Sequence, residues 1–222
     1  DFKKKTVIKK NILNYLNDLV KNFKVNSPKN IPRMSSMLVG YFSYDIIRLI
    51  ENIPDKLKSD VNIPDIRLIR PKNLIIYDNL KKKIHYIENV YADVKIKNYK
   101  ETYDSILKRF ELYKSFENIK LPDQFTFKPN KNLVKSNTTK NKFKLLVKKA
   151  KNYIKKGDIF QVVLSQRFER KINKSPIEIY NHLSKSNPSP FMFYFNYEDF
   201  NVLGSSPEIL VRLRKGDVTI RP

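Results

Sequence analysis

The chain has 222 residues and a formal net charge of +23, from 45 Lys and Arg against 22 Asp and Glu. A hydrophobic share of 41% and an aromatic share of 12% exclude a disordered tail and suffice for one large domain or two small ones. The lack of cysteine excludes a disulfide scaffold and thiolate metal sites. No apolar run approaches the ~18 residues of a membrane span, and DFKKKTVIKK has no signal-like apolar core, so a cytoplasmic protein with no membrane partner is expected. The first residue is Asp1 and the last stretch, GDVTIRP, reads as a hairpin strand, so the chain is expected to be a fragment of something longer.

The positive charge admits a nucleic-acid-binding protein. However, Lys rises together with Asn and Ile, three residue types with AT-rich codons, and is spread along the chain with only short runs such as Lys3–Lys5 and Lys81–Lys83. Codon bias accounts for that pattern, and no nucleic-acid partner is expected.

In chain order, Ile8, Ile12, Leu16, Leu19, Val20 and Phe23 recur at helical spacing and predict a helix over 5–23. A strand is expected around Met37–Ser43, running into a short helix over Tyr44–Glu51. NLIIYD (73–78) and KIHYIENVY (83–91) predict two strands joined by a tight turn. Tyr99, Tyr103, Ile106, Leu107, Phe110 and Tyr113 share one face of a further helix. Residues 118–140, with two prolines and many Asn, Ser and Thr, read as a connector. The expected domains are 1–137, connector included, and 138–222.

Beyond it, Phe143, Leu146, Val147, Ala150 and Ile154 mark an amphipathic helix that Gly157 should close in the left-handed conformation. The segment GDIFQVVLSQRF (157–168) then predicts a buried strand. Its alternation sets Gln161, Val163, Ser165 and Arg167 against Phe160, Val162, Leu164, Gln166 and Phe168. The polar side chains on the first face either line a pocket or satisfy neighbouring strands. Ser175, Pro176 and Glu178 announce a capping box. FMFYFNYEDFNVLG and PEILVRLRKGDVTIRP predict hairpins turning near Glu198–Asp199 and Lys215–Asp217. Helices mixed with antiparallel hairpins make the fold α+β.

The catalytic inventory is thin. His85 and His182 have no metal-like pairing, no phosphate loop or nucleophile elbow occurs, and the acids are scattered. Five stretches taken together carry more information: VGYFSYD (39–45), IPDIRLIRPKNLIIYD (63–78), GDIFQVVLSQRF, NPSPFMFYF (187–195) and LGSSPEILVR (203–212). In this order and spacing they resemble the chorismate-utilising enzymes, and among them the large subunit of anthranilate synthase.

That resemblance implies packed, partly orthogonal antiparallel sheets flanked by helices. It implies a reaction in which ammonia from a glutamine amidotransferase partner adds to chorismate with loss of the ring hydroxyl, and elimination of pyruvate gives anthranilate. It implies Mg2+, whose ligands, with the catalytic histidine, are expected beyond Pro222, so that no metal ligand is expected within the chain. By the same resemblance Gln161 stands where water-adding members carry a lysine, and is expected in the pocket wall. Its amide has no useful basicity, which suits a nucleophile that brings its own lone pair. Pro190, Phe191 and Met192 are expected to contact tryptophan, the feedback inhibitor; their alternation is equally that of ordinary strand core. Aminodeoxychorismate synthase is the alternative within the family.

Overall fold

Four helices and five two-stranded antiparallel sheets form the regular structure of residues 5–23, 28–56, 61–91, 98–114 and 134–220, those that a computed structural model describes. They fall into two units, Asp1–Leu121 and Pro122–Pro222. The α+β mixture expected from the sequence is present in each.

In the first unit, helix α1 spans Ile12–Asn22, shorter than the predicted 5–23. Asn11 before it sits in the left-handed region at φ 52°, a conformation that interrupts a right-handed helix upstream. Strand β1 (Val39–Phe42) pairs with β2 (Ile66–Ile69), and the predicted helix after β1 is a 3₁₀ helix over Tyr44–Leu49. Sequence periodicity missed β2, because a four-residue run between Pro64 and Pro71 is too short to show one. Strands β3 (Asn73–Asp78) and β4 (Lys83–Glu88) form the expected hairpin, with Asp78 accepting from the Leu80 and Lys81 amides in its turn.

A lone hairpin is marginally stable and needs a packed face. Helix α2 (Tyr99–Lys114) supplies one: the Tyr86 ring lies 5.5 Å from Phe110 and 5.0 Å from Tyr113. Beside them Arg109 makes a bidentate pair with Glu88, at 2.6 and 3.0 Å, and Lys72 reaches the same carboxylate at 3.0 Å. The Glu88 side chain is 2% exposed. Burial alone would raise its pKa, but hydrogen bonds from Arg109 and Lys72 outweigh burial and hold it below 4.5.

In the second unit, helix α3 (Lys140–Lys156) has Thr139 as its N-cap and ends at Gly157, φ 79°, as the sequence predicts. Residues 118–133 of the predicted connector lie outside the described residues; its end, Lys135–Ser136, forms the short strand β5. The predicted strand over 157–168 is a correction. Only its last residue enters regular pairing, in β6 (Phe168–Glu169), and side chains from both alternating sets are open: Phe160 is 93% exposed and Val163 84%. Among the described residues no strand pairs with 158–167, so the backbone there has no ladder, and Phe160, Val162 and Val163 are left exposed while Ile159 and Leu164 are half-buried.

Helix α4 (Pro176–Ser186) begins with the predicted capping box: Ser175 accepts from the Glu178 amide and Glu178 accepts from the Ser175 amide at 2.7 Å. Those hydrogen bonds lower the Glu178 pKa. Helix α4 packs on the hairpin of β7 (Phe191–Tyr197) and β8 (Phe200–Ser206). Tyr197, in this hairpin, is the one fully buried apolar side chain among the described residues. A second hairpin joins β9 (Arg212–Arg214) to β10 (Asp217–Thr219) through Lys215 and Gly216, both at positive φ.

Candidate functional site

The β7–β8 register determines what the segment NPSPFMFYF presents. Phe191 opposes Ser206, Met192 opposes Ser205 and Phe193 opposes Gly204. Residues directly opposite in an antiparallel pair share a face. One face therefore carries Phe191, Phe193, Phe195, Tyr197 and Phe200, and the successive rings from Phe193 to Phe200 lie 5.1–5.7 Å apart. Met192 and Tyr194 belong to the other face, where the Tyr194 ring meets Tyr180 of α4 at 5.8 Å. Phe191 and Met192 thus diverge, and what they share with Pro190 is the start of the strand.

Gly204 makes the aromatic face possible. A Cβ there would overlap Cζ of Phe193 and lie 2.8 Å from its Cε1, so the ring lies across the glycine backbone. The seryl pair beyond Gly204 ties the strand to the segment before β7. Ser205 Oγ lies 2.6 Å from the Asn187 carbonyl oxygen and 2.8 Å from Ser189 Oγ. With one hydroxyl proton, Ser205 donates to the carbonyl and accepts from Ser189. Sequence reading missed Ser205 because its partners are 16 and 18 positions away; the signal available was the Ser-Ser doublet after Gly204. Ser206 Oγ accepts from the Glu208 amide at 3.4 Å and shapes the turn before Glu208, which is exposed.

Gln161 is exposed in the open segment, with Val162 and Val163 beside it. The polar residues further along have partners at the end of the connector. Gln166 Nε2 donates to Ser136 Oγ at 2.8 Å, the Arg167 amide donates to Asn137 Oδ1 at 3.0 Å, and the Arg167 guanidinium pairs with Glu169 at 2.7 Å. These contacts anchor one end of the segment and leave Gln161 at the other. His85 stands in β4 and His182 in α4. Among the described residues no three His, Asp or Glu side chains are grouped as a metal site.

Residues 1–222 match the sequence model of a family described as chorismate binding enzyme. Anthranilate synthase component 1 of Acetivibrio thermocellus is 35% identical, across 100% of this chain and 48% of its own length. The Aquifex aeolicus protein of the same name is 38% identical, across 96% of this chain and 43% of its own. The crystal structure of anthranilate synthase component I from Streptococcus pneumoniae superposes with a TM-score of 0.76 at 28% identity, across 96% of this chain and 47% of the other. That likeness agrees with the fold expected from the sequence. The chain spans about half the length of the curated relatives it matches. With its whole length matched, the chain belongs to the chorismate-binding enzyme family.

Proposed function

We propose that the full-length protein is component I of an anthranilate synthase. It takes chorismate and ammonia, which a glutamine amidotransferase partner releases from glutamine, to anthranilate and pyruvate. This is the first step of tryptophan synthesis, in the cytoplasm. One observation carries the reading: relatives bearing the component 1 name align at 35% and 38% identity along nearly the whole chain. Ammonia adds through its lone pair as the ring hydroxyl departs, and loss of the enolpyruvyl side chain as pyruvate makes the ring aromatic. In this reading Gln161, exposed in the described residues, joins the wall of the chorismate pocket of the full-length protein and, lacking basicity, leaves water unactivated. The magnesium ion that the family resemblance implies takes its ligands from outside the described residues, and no step here is routed through it.

The test supplies purified full-length protein with chorismate, a magnesium salt and an ammonium salt, and identifies the product by chromatography and fluorescence. Anthranilate with equimolar pyruvate is expected. Aminodeoxychorismate would move the protein to the 4-aminobenzoate branch, and no turnover would overturn the reading.

Gln161→Lys places a base where water can be activated. Ammonia-dependent anthranilate formation should fall about tenfold or more, with isochorismate as a new product. Unaltered anthranilate formation without isochorismate would remove Gln161 from the pocket.

Tryptophan feedback belongs to the same proposal. Pro190 offers a flat ring and a fixed backbone at the start of β7, where Phe191 and Met192 leave on opposite faces, so an indole would be held at the mouth of the hairpin. Met192→Thr removes polarisable apolar surface there, and half-inhibition should need roughly tenfold more tryptophan, about 1.4 kcal/mol, with turnover unaffected. An unchanged inhibition curve would refute the site.

A further inference from the structure

Helix α3 carries eight lysines and no acidic residue in its 17 positions. Lysine-rich composition does not explain this, because α2 in the same chain has four cations offset by Glu101, Asp104 and Glu111. At 100° per residue, Lys144, Lys148, Lys151 and Lys155 fall within one narrow stripe, spanning about 16 Å at 1.5 Å per residue. The apolar residues Phe143, Leu146, Val147, Ala150 and Ile154 form a separate stripe, about 115° around the helix at 100° per residue. All four lysines are exposed, and among the described residues none is in an ion pair. Like charges at i,i+4 oppose each other across a helix turn, so the stripe works against the helix that bears it. The Thr139 cap and the Gly157 terminus hold the helix in shape regardless.

We propose that this stripe is the docking surface for an acidic ridge of the amidotransferase component, an inference that rests on the function proposed above. A single row of cations one residue wide matches carboxylates repeated at i,i+4 on a facing helix. It suits nucleic acid less well. The helix has no arginine to fork onto phosphates or guanine, and no aromatic ring stands within the stripe to stack a base. Lysine ammonium groups are compact and strongly hydrated, so their contribution is steering: they raise the association rate and lose that advantage as salt screens them.

The experiment uses the full-length protein with Lys144→Glu, Lys148→Glu, Lys151→Glu and Lys155→Glu combined, and a companion variant with arginine at all four positions. Association with the purified amidotransferase component is measured by surface plasmon resonance between 50 mM and 500 mM salt. Turnover is followed with glutamine and, separately, with ammonium. The glutamate variant should associate at least tenfold more slowly at low salt, with the difference shrinking at high salt. Its glutamine-dependent turnover should fall while ammonium-dependent turnover stays unchanged, and the arginine variant should match wild type. Equal association rates at low salt would overturn the proposal, as would loss of affinity for a duplex DNA probe with the component's binding intact. Absence of ammonium-dependent turnover in the unaltered protein would count against the enzymatic reading instead, while the association rates would still decide this surface.

Discussion

Gly40→Ala is expected to destabilise the full-length protein by about 3 kcal/mol and to lower its Tm by several degrees. A Cβ at Gly40 would overlap the Arg67 carbonyl oxygen and lie 2.9 Å from its carbon and 3.0 Å from Leu68 Cα. All three are backbone atoms, so no rotamer change relieves the overlap and β1 must part from β2. Further hydrogen bonds depend on that pairing: the Ser43 amide donates to the Asp65 carbonyl at 2.7 Å, Ser43 Oγ to the Asp65 carboxylate at 2.8 Å, and Tyr41 Oη to the Pro64 carbonyl at 2.7 Å. Differential scanning calorimetry on both proteins checks the shift, and a Tm indistinguishable from wild type would mean that β1 and β2 do not approach this closely.

Glu88→Ala should cost about 2–4 kcal/mol at neutral pH, because it strands Arg109 against the Tyr86 cluster and leaves Lys72 without its partner. Arg109 and Lys72 are 38% and 62% exposed, so water recovers part of the loss and the figure stays below that of a fully buried pair. The pH dependence separates this carboxylate from ordinary packing. Its pKa in the folded protein lies below the usual 4.5, so its contribution is complete above that value and is lost as pH falls through the lowered folded pKa. Glu88→Gln keeps the shape of the side chain and removes the titration. The stability gap between wild type and Glu88→Gln, read from urea unfolding, should therefore narrow as pH falls from about 6 toward 3. A gap that stays constant over that range would show that Glu88 does not fold as the paired anion.

Local signals in the sequence were reliable where a segment needs only itself. The Ser175–Glu178 capping box, the Gly157 terminus of α3 and the turns of all three predicted hairpins involve residues within a few positions of one another. A side chain reaching its own backbone leaves its trace in the spacing. Long-range arrangements left no such trace. Pairing of β1 with β2 joins residues 24–30 positions apart, and the Ser205 contacts to Asn187 and Ser189 depend on a register that no residue type announces. Motif resemblance, and not periodicity, brought Gln161, Pro190, Phe191 and Met192 forward, and it could not say that alternation along β7 sends Phe191 and Met192 to opposite faces.

The segment 157–168 marks the limit between the two kinds of knowledge. Its β-branched and aromatic residues predispose it to a strand, yet a strand exists only where a neighbouring strand takes its hydrogen bonds, and among the described residues no strand pairs with 158–167. The start of α4, the end of α3, the tight turns and the family were legible in the order of the amino acids, because they rest on contacts between near neighbours or on motifs in register. Which strands pair, which face of β7 each candidate residue takes and whether an apolar run is covered were settled only in three dimensions, because each depends on a partner distant in the chain.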